Sequence, residues 1–158
     1  MERVNLIIND AEYLEYLKKN QEHEIDRIYC HHDEHHFIDV SRVAYIIALE
    51  EQLDIGKEII YASGLLHDIG RWMEYEKGGD HAIASKELAD GILRKSGFTE
   101  EEIREILEAI AGHRNKEESS QLADILYRAD KLSRVCTGCN ARSTCKRFQN
   151  GEKPYLFY

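Results

Sequence analysis

Proline occurs once in this chain of 158 residues, at Pro154, so almost its whole length is free of the residue that breaks helices. Apolar residues recur at three- and four-residue spacing in one segment after another, and no stretch alternates convincingly at period two. Together these features predict an all-α fold. The length suits one domain that can bury a core without disulfide staples.

The pattern divides into about seven helices. Asp10 is the expected N-cap of the first, which turns Leu14 and Leu17 inward, and a second is expected over Glu22–Tyr29. Phe37, Val40, Ala44 and Ile47 mark a third reaching about Leu53, and a fourth runs from Ile55 to about Asp68 before stopping at Gly70. The polar stretch from Arg71 to Asp80, with Gly78-Gly79, is expected to be a loop. Asp80 then caps a helix carrying Ile83, Leu88, Ile92 and Leu93, which ends at Gly97. Thr99 and Glu102 form a capping box ahead of Ile103, Ile106, Leu107 and Ile110. Leu122, Ile125, Leu126, Ala129 and Leu132 lie on the last helix. Residues 1–135 are thus expected to form one helical domain, with residues 136–158 a short cysteine-containing tail packed on it.

A formal charge of −9 argues against general nucleic-acid binding, because phosphate backbones select for excess Lys and Arg. It leaves room for a small phosphorylated substrate whose charge is met locally by a metal and a few cations. The N-terminal residues lack the apolar core of a signal peptide, and no apolar run approaches membrane-spanning length. The expected compartment is the cytoplasm, with no membrane partner; a homodimer is left open. In that reducing setting the four cysteines read as thiols or metal ligands.

Eight histidines are many for this length. His67-Asp68 closes an apolar helix in "SGLLHDIG". Neighbours on a helix point about 100° apart, yet two at its end can chelate one ion lying just beyond that end. A lone pair of this kind is more often a satisfied core histidine beside a helix-end carboxylate. This pair has company. His36 opens an amphipathic helix ahead of "FIDVSRVA", and Asp130 lies late in another, in "LYRADKLSR".

The order His36, then His67-Asp68, then a distant Asp130 resembles the HD superfamily of metal-dependent phosphohydrolases, over about residues 30–135. The resemblance implies an HD-type helical bundle in which His36, His67, Asp68 and Asp130 bind the metal. Two imidazoles and two carboxylates suit Mn, Fe, Co, Ni or Zn. Asp68 and His67 are the expected catalytic residues, with Asp68 both holding metal and orienting water. Several such hydrolases place two more histidines between the His-Asp pair and the last Asp. By that resemblance His81 and His113 bind a second metal or the substrate phosphates, and both readings stay open. Arg71, Arg114 and Lys131 are candidate phosphate ligands. Many family members carry Lys where this chain has Arg71, and arginine also binds phosphate well. Arg134 is a further cation near the constellation, and for it and Lys131 the reading as solvated surface charge is slightly favoured. The spacing of the histidines and aspartates is similar to that of small HD hydrolases acting on nucleotides, including symmetric dinucleoside tetraphosphate hydrolases.

Cys136-x2-Cys139-x5-Cys145 follows the last helix. Tetrahedral zinc needs a fourth ligand, and Cys30 can supply it. Cys30 precedes His36 by as many residues as Cys136 follows Asp130, so on adjacent antiparallel helices both would sit about 9 Å along the axis from the first site. A structural zinc site of four cysteines is therefore expected, with an iron–sulfur cluster as the alternative occupant. His32 is a candidate supporting group for the first site.

The function expected is metal-dependent hydrolysis of a phosphate ester or anhydride of a nucleotide or related small molecule. Two alternatives stand beside it: an HD-fold di-iron oxygenase, and a non-catalytic metal- or nucleotide-binding module.

Overall fold

In the computed structural model, which describes residues 1–113 and 120–158, the chain is all-helical. The described helices are α1 (Glu2–Ile8), α2 (Ala11–His23), α3 (Glu34–Glu50), α4 (Lys57–Leu66), α5 (Arg71–Lys77), α6 (His81–Lys95), α7 (Glu100–Gly112) and α8 (Gln121–Leu132). Short 3-10 turns at Cys136–Gly138, Arg142–Thr144 and Lys146–Phe148 shape the tail. No described helix is long and apolar enough to cross a membrane.

Helix α4 is the axis of the bundle, packing against α1, α3, α6, α7 and α8. Its sequence permits this: Ile60, Ala62, Ser63, Gly64, Leu65 and Leu66 are all buried, and a helix apolar on every side belongs inside. Two apolar clusters flank it. Tyr13, Phe37, Leu65, Ile92 and Ile106 belong to one, and Val40, Ile47, Ile60, Ile125 and Leu126 to the other. At the crossing of α3 and α4, Gly64 lies so close to Ser41 that an added Cβ would come within 2.8 Å of the Ser41 Cα.

Several expected caps are present. Asp10 accepts from the Glu12 and Tyr13 amides, Asp80 from Ala82, and Thr99 forms a complete capping box with Glu102. Elsewhere the structure corrects the sequence reading. The N-terminal α1 was not expected; Val4 and Ile7 bury it, and Arg3 ties it to Glu58 and Glu102 at 2.7 Å each. Leu14 is 47% exposed, because α2 turns Tyr13, Leu17 and Asn20 inward instead. No helix spans Glu22–Tyr29: α2 ends at His23, the chain turns, and Ile25 and Ile28 remain exposed. The expected loop over Arg71–Asp80 is largely α5, anchored by buried Trp72 stacked on Tyr16. Gly78 and Gly79, with φ of 69° and 100°, make the turn into α6. Ile83, one of the apolar residues that mark this helix in the sequence, is exposed.

Candidate metal centre

His36 lies in the first turn of α3, His67 and Asp68 in the turn after α4, and Asp130 in the last turn of α8. Because α3 packs against both α4 and α8, these positions meet at one end of the bundle. His36 Nε2 lies 3.2 Å from Asp130 Oδ1, and His67 Nε2 lies 3.5 Å from Asp68 Oδ2 and 4.0 Å from Asp130 Oδ1. One ligand atom from each of the four falls within 4.8 Å of the others, and all four residues are buried. A second group shares one of its members: Asp68 Oδ1 lies 3.2 Å from His81 Nε2 and 3.7 Å from His113 Nε2.

Four histidines here are oriented by the same device. Their Nδ1 atoms face acceptors: Gly64 O for His67 at 2.8 Å, Ile110 O for His113 at 2.6 Å, Glu74 for His81 at 2.8 Å, and Glu24 for His32 at 2.5 Å. Carbonyl and carboxylate oxygens only accept, so each Nδ1 carries a proton and each Nε2 is the ring atom turned to the centre. Metal-ligating imidazoles are held in this way. His36 Nε2, His67 Nε2 and Asp68 Oδ1 are buried without a hydrogen-bond partner. Buried polar atoms left unmatched are costly, and a cation between them would satisfy all three. The residues fit a divalent metal.

The electrostatics agree. Burial holds His36 and His113 down to about 4, so both are neutral at pH 7. Burial alone would raise the Asp68 carboxyl, but His67, His81, His32 and His113 outweigh it and hold it well below the usual carboxylate range. Asp130 is likewise depressed, with burial overcome by His36, His67 and Arg134. Neutral imidazoles and ionised carboxylates are the forms a metal requires.

A cavity of about 310 Å³ opens onto the centre, and Arg71, Lys131 and Arg134 stand in its wall with His32, His81 and His113. Arg134, read from sequence as a solvated charge, has a side chain only 15% exposed and reaches Asp130 Oδ1 at 3.1 Å. Lys131 reaches Asp130 Oδ2 at 2.5 Å, yet its side chain stays 56% exposed. Arg71 Nη1 lies against the His81 ring, 3.0 Å from Nδ1 and 3.1 Å from Nε2. Arg114 lies outside the described residues.

Sequence reasoning missed the supports. Asn20, fully buried on α2, donates to Asp68 O at 2.9 Å and accepts from the Trp72 amide at 2.7 Å, which fixes the turn carrying His67 and Asp68. Glu24, also buried, receives the His32 amide at 2.6 Å and the Tyr75 hydroxyl at 2.6 Å as well as His32 Nδ1. His32 Nε2 then lies 3.5 Å from Asp68 Oδ2. One signal was available: Asn20 and Glu24 continue the buried stripe of Tyr13 and Leu17 at helical spacing. The cysteines are free thiols, Cys30 and Cys139 exposed and Cys136 and Cys145 half-buried.

Comparison with known proteins follows the same lines. An uncharacterized protein of Clostridium beijerinckii is 48% identical over 145 residues, covering 92% of each chain. Ribonuclease Y of Mycoplasma mycoides is 39% identical over 99 residues, but this chain spans only 21% of that protein's length. A crystal structure described as a predicted HD superfamily hydrolase, from an uncultured Thermotogales bacterium, superposes with a TM-score of 0.62 at 34% identity, covering 83% of this chain and 73% of that one. The family model described as the HD domain matches residues 33–135, the span from the cap of α3 to just beyond α8 that contains every residue of both ligand groups, and the chain belongs to the HD-domain family.

Proposed function

We propose that this protein is a metal-dependent phosphohydrolase that cleaves a phosphate ester or anhydride of a nucleotide or similar small molecule. The observation that carries the reading is Asp68, whose two oxygens face different histidine sets at the floor of a cation-walled cavity. His36, His67, Asp68 and Asp130 would hold one metal, from among Mn, Fe, Co, Ni and Zn, and Asp68, His81 and His113 a second. When bound, such a metal lowers the pKa of water and neutralises phosphate charge.

The chain's own groups do the rest. Arg71, Lys131 and Arg134 bind the phosphate oxygens; Arg71 and Arg134 are held in place, and the exposed Lys131 side chain can turn from Asp130 to the substrate. Asp68, anchored through its backbone by Asn20, orients the attacking water. His32 is kept neutral by burial, against the pull of Glu24, and presents Nε2 to the cavity. It takes the proton that the water releases, while Glu24 stabilises the imidazolium through Nδ1.

A second reading draws on the likeness to ribonuclease Y: the substrate would be an RNA phosphodiester. The net charge of −9 and the size of the cavity favour the small substrate. The deciding experiment reconstitutes metal-free protein with each candidate metal and screens nucleotides and short RNAs for product, with and without dioxygen. Oxygen-independent release of phosphate or a mononucleotide from nucleotides supports the proposal. Cleavage confined to RNA favours the second reading. Turnover that needs dioxygen and frees no phosphate overturns both.

A further inference from the structure

The four cysteines take no part in the chemistry above, yet the fold gathers them from two distant stretches of chain. Cys30 stands on irregular backbone before α3, and Cys136 heads a 3-10 turn after α8. Neither lies on a helical extension, so the shared level on antiparallel helices expected from sequence is not what brings them near one another. Side-chain to backbone hydrogen bonds do so. The Tyr29 hydroxyl donates to Thr144 O at 3.3 Å, joining the neighbour of Cys30 to the neighbour of Cys145. Arg134 donates to His31 O at 3.1 Å, which links the other side of Cys30 to the approach to Cys136. Arg27 donates to Cys30 O itself at 2.7 Å.

The local turns suit ligation. The Cys139 amide donates to Cys136 O at 3.4 Å, folding the two-residue spacer so that both thiols leave the same turn. Cys30, Cys136 and Cys139 line one cavity of about 390 Å³. Four ionised thiols so placed repel one another, and a cation among them reverses that penalty.

We propose that Cys30, Cys136, Cys139 and Cys145 form a second, separate metal site, a tetrathiolate that binds one zinc ion and fastens the C-terminal tail to the segment leading into α3. Zinc favours this ligand set in tetrahedral geometry at about 2.3 Å per sulfur. Among the described residues, the groups of three or more ligand atoms within 4.8 Å of one another are the two histidine–aspartate groups, so zinc binding requires the four thiols to draw closer together than they lie here. Each releases its proton to solvent on ligation. The complex then carries two negative charges, and the basic residues of the tail offset them: Arg147 Nη1 lies 3.9 Å from Cys136 Sγ and 2.9 Å from Lys131 O.

The test uses the full-length protein. Metal-free protein is titrated with cobalt(II), whose tetrahedral thiolate complexes give strong sulfur-to-metal charge-transfer absorption. That absorption is expected at one equivalent, retained in Asp68→Asn and lost in Cys139→Ser and Cys145→Ser. Zinc in the purified protein should drop by one equivalent in the same cysteine variants. Should they fail to fold, the wild-type chain still decides: zinc should slow reaction of its thiols with an aromatic disulfide at least ten-fold, and a strong chelator should restore it. Cobalt spectra without thiolate absorption, or thiols equally reactive with and without zinc, overturn the site. Visible absorption from bound iron and sulfide in the purified protein overturns the zinc assignment.

Discussion

His81 Nε2 lies 3.2 Å from Asp68 Oδ1, joining the first residue of α6 to the turn that follows α4. Asp68 thereby serves both ligand groups, and it is the only carboxylate of the second. Asp68→Asn keeps the size of the side chain but removes the charge and replaces one acceptor by a donor. It should lower kcat by at least about 100-fold and cut metal content, while far-UV circular dichroism stays unchanged. A variant with near-normal turnover would dismiss the hydrolytic centre.

Glu24 acts through His32. In Glu24→Gln the amide can still accept from Nδ1 but no longer stabilises an imidazolium. The expected outcome is a kcat lowered about ten-fold or more, with KM and metal content unchanged. Loss of metal with little change in the turnover of reloaded protein would place His32 among the ligands and remove it as proton acceptor.

The acid limb of stability should follow the histidines. His36 and His113 sit at about 4 in the folded protein because they are buried, against about 6.5 in an unfolded chain. Between those values the unfolded state binds more protons, so stability is lost as pH falls through that window. Urea unfolding of metal-free protein should show a loss on the order of a few kcal/mol between about pH 7 and 4.5. Asp68 and Asp130, depressed in the fold, add stability above about 3.9 that is lost as pH falls further, below the histidine window. A flat profile across the window would contradict the neutral, buried histidines.

The crossing of α3 and α4 has no room for a methyl group. Gly64→Ala would press Cβ onto the Ser41 backbone and shift the carbonyl that accepts from His67 Nδ1. We expect about 2 kcal/mol or more of destabilisation, read from denaturant midpoints, together with weaker metal binding. Tolerance of alanine at full stability would show that the two helices can move apart freely.

What the sequence revealed depended on how far apart the deciding partners lie. The caps Asp10, Asp80 and Thr99 act within their own first turns, and chain order sufficed to find them. The convergence of His36, His67, Asp68 and Asp130 was legible because their order and spacing carry the family resemblance. Helix α5 was hidden because it has no amphipathic stripe of its own; Trp72 gains its place from Tyr16 and Asn20, on another helix. Helix α1 was hidden for a similar reason, since Arg3 finds Glu58 and Glu102 far along the chain. Leu14 misled because Tyr13, one position away, offered the larger side chain to the core.

The donors around Asp68 come from α3, the turn after α4, α6, the end of α7 and α8. The first set needs only α3, the turn after α4 and α8, whereas the second adds α6 and α7, so both sets together are complete only when the bundle is. A metal arriving there would act as a final latch on tertiary structure. The lifetime of its release would then report how often the entire bundle loosens, rather than how often any single helix frays.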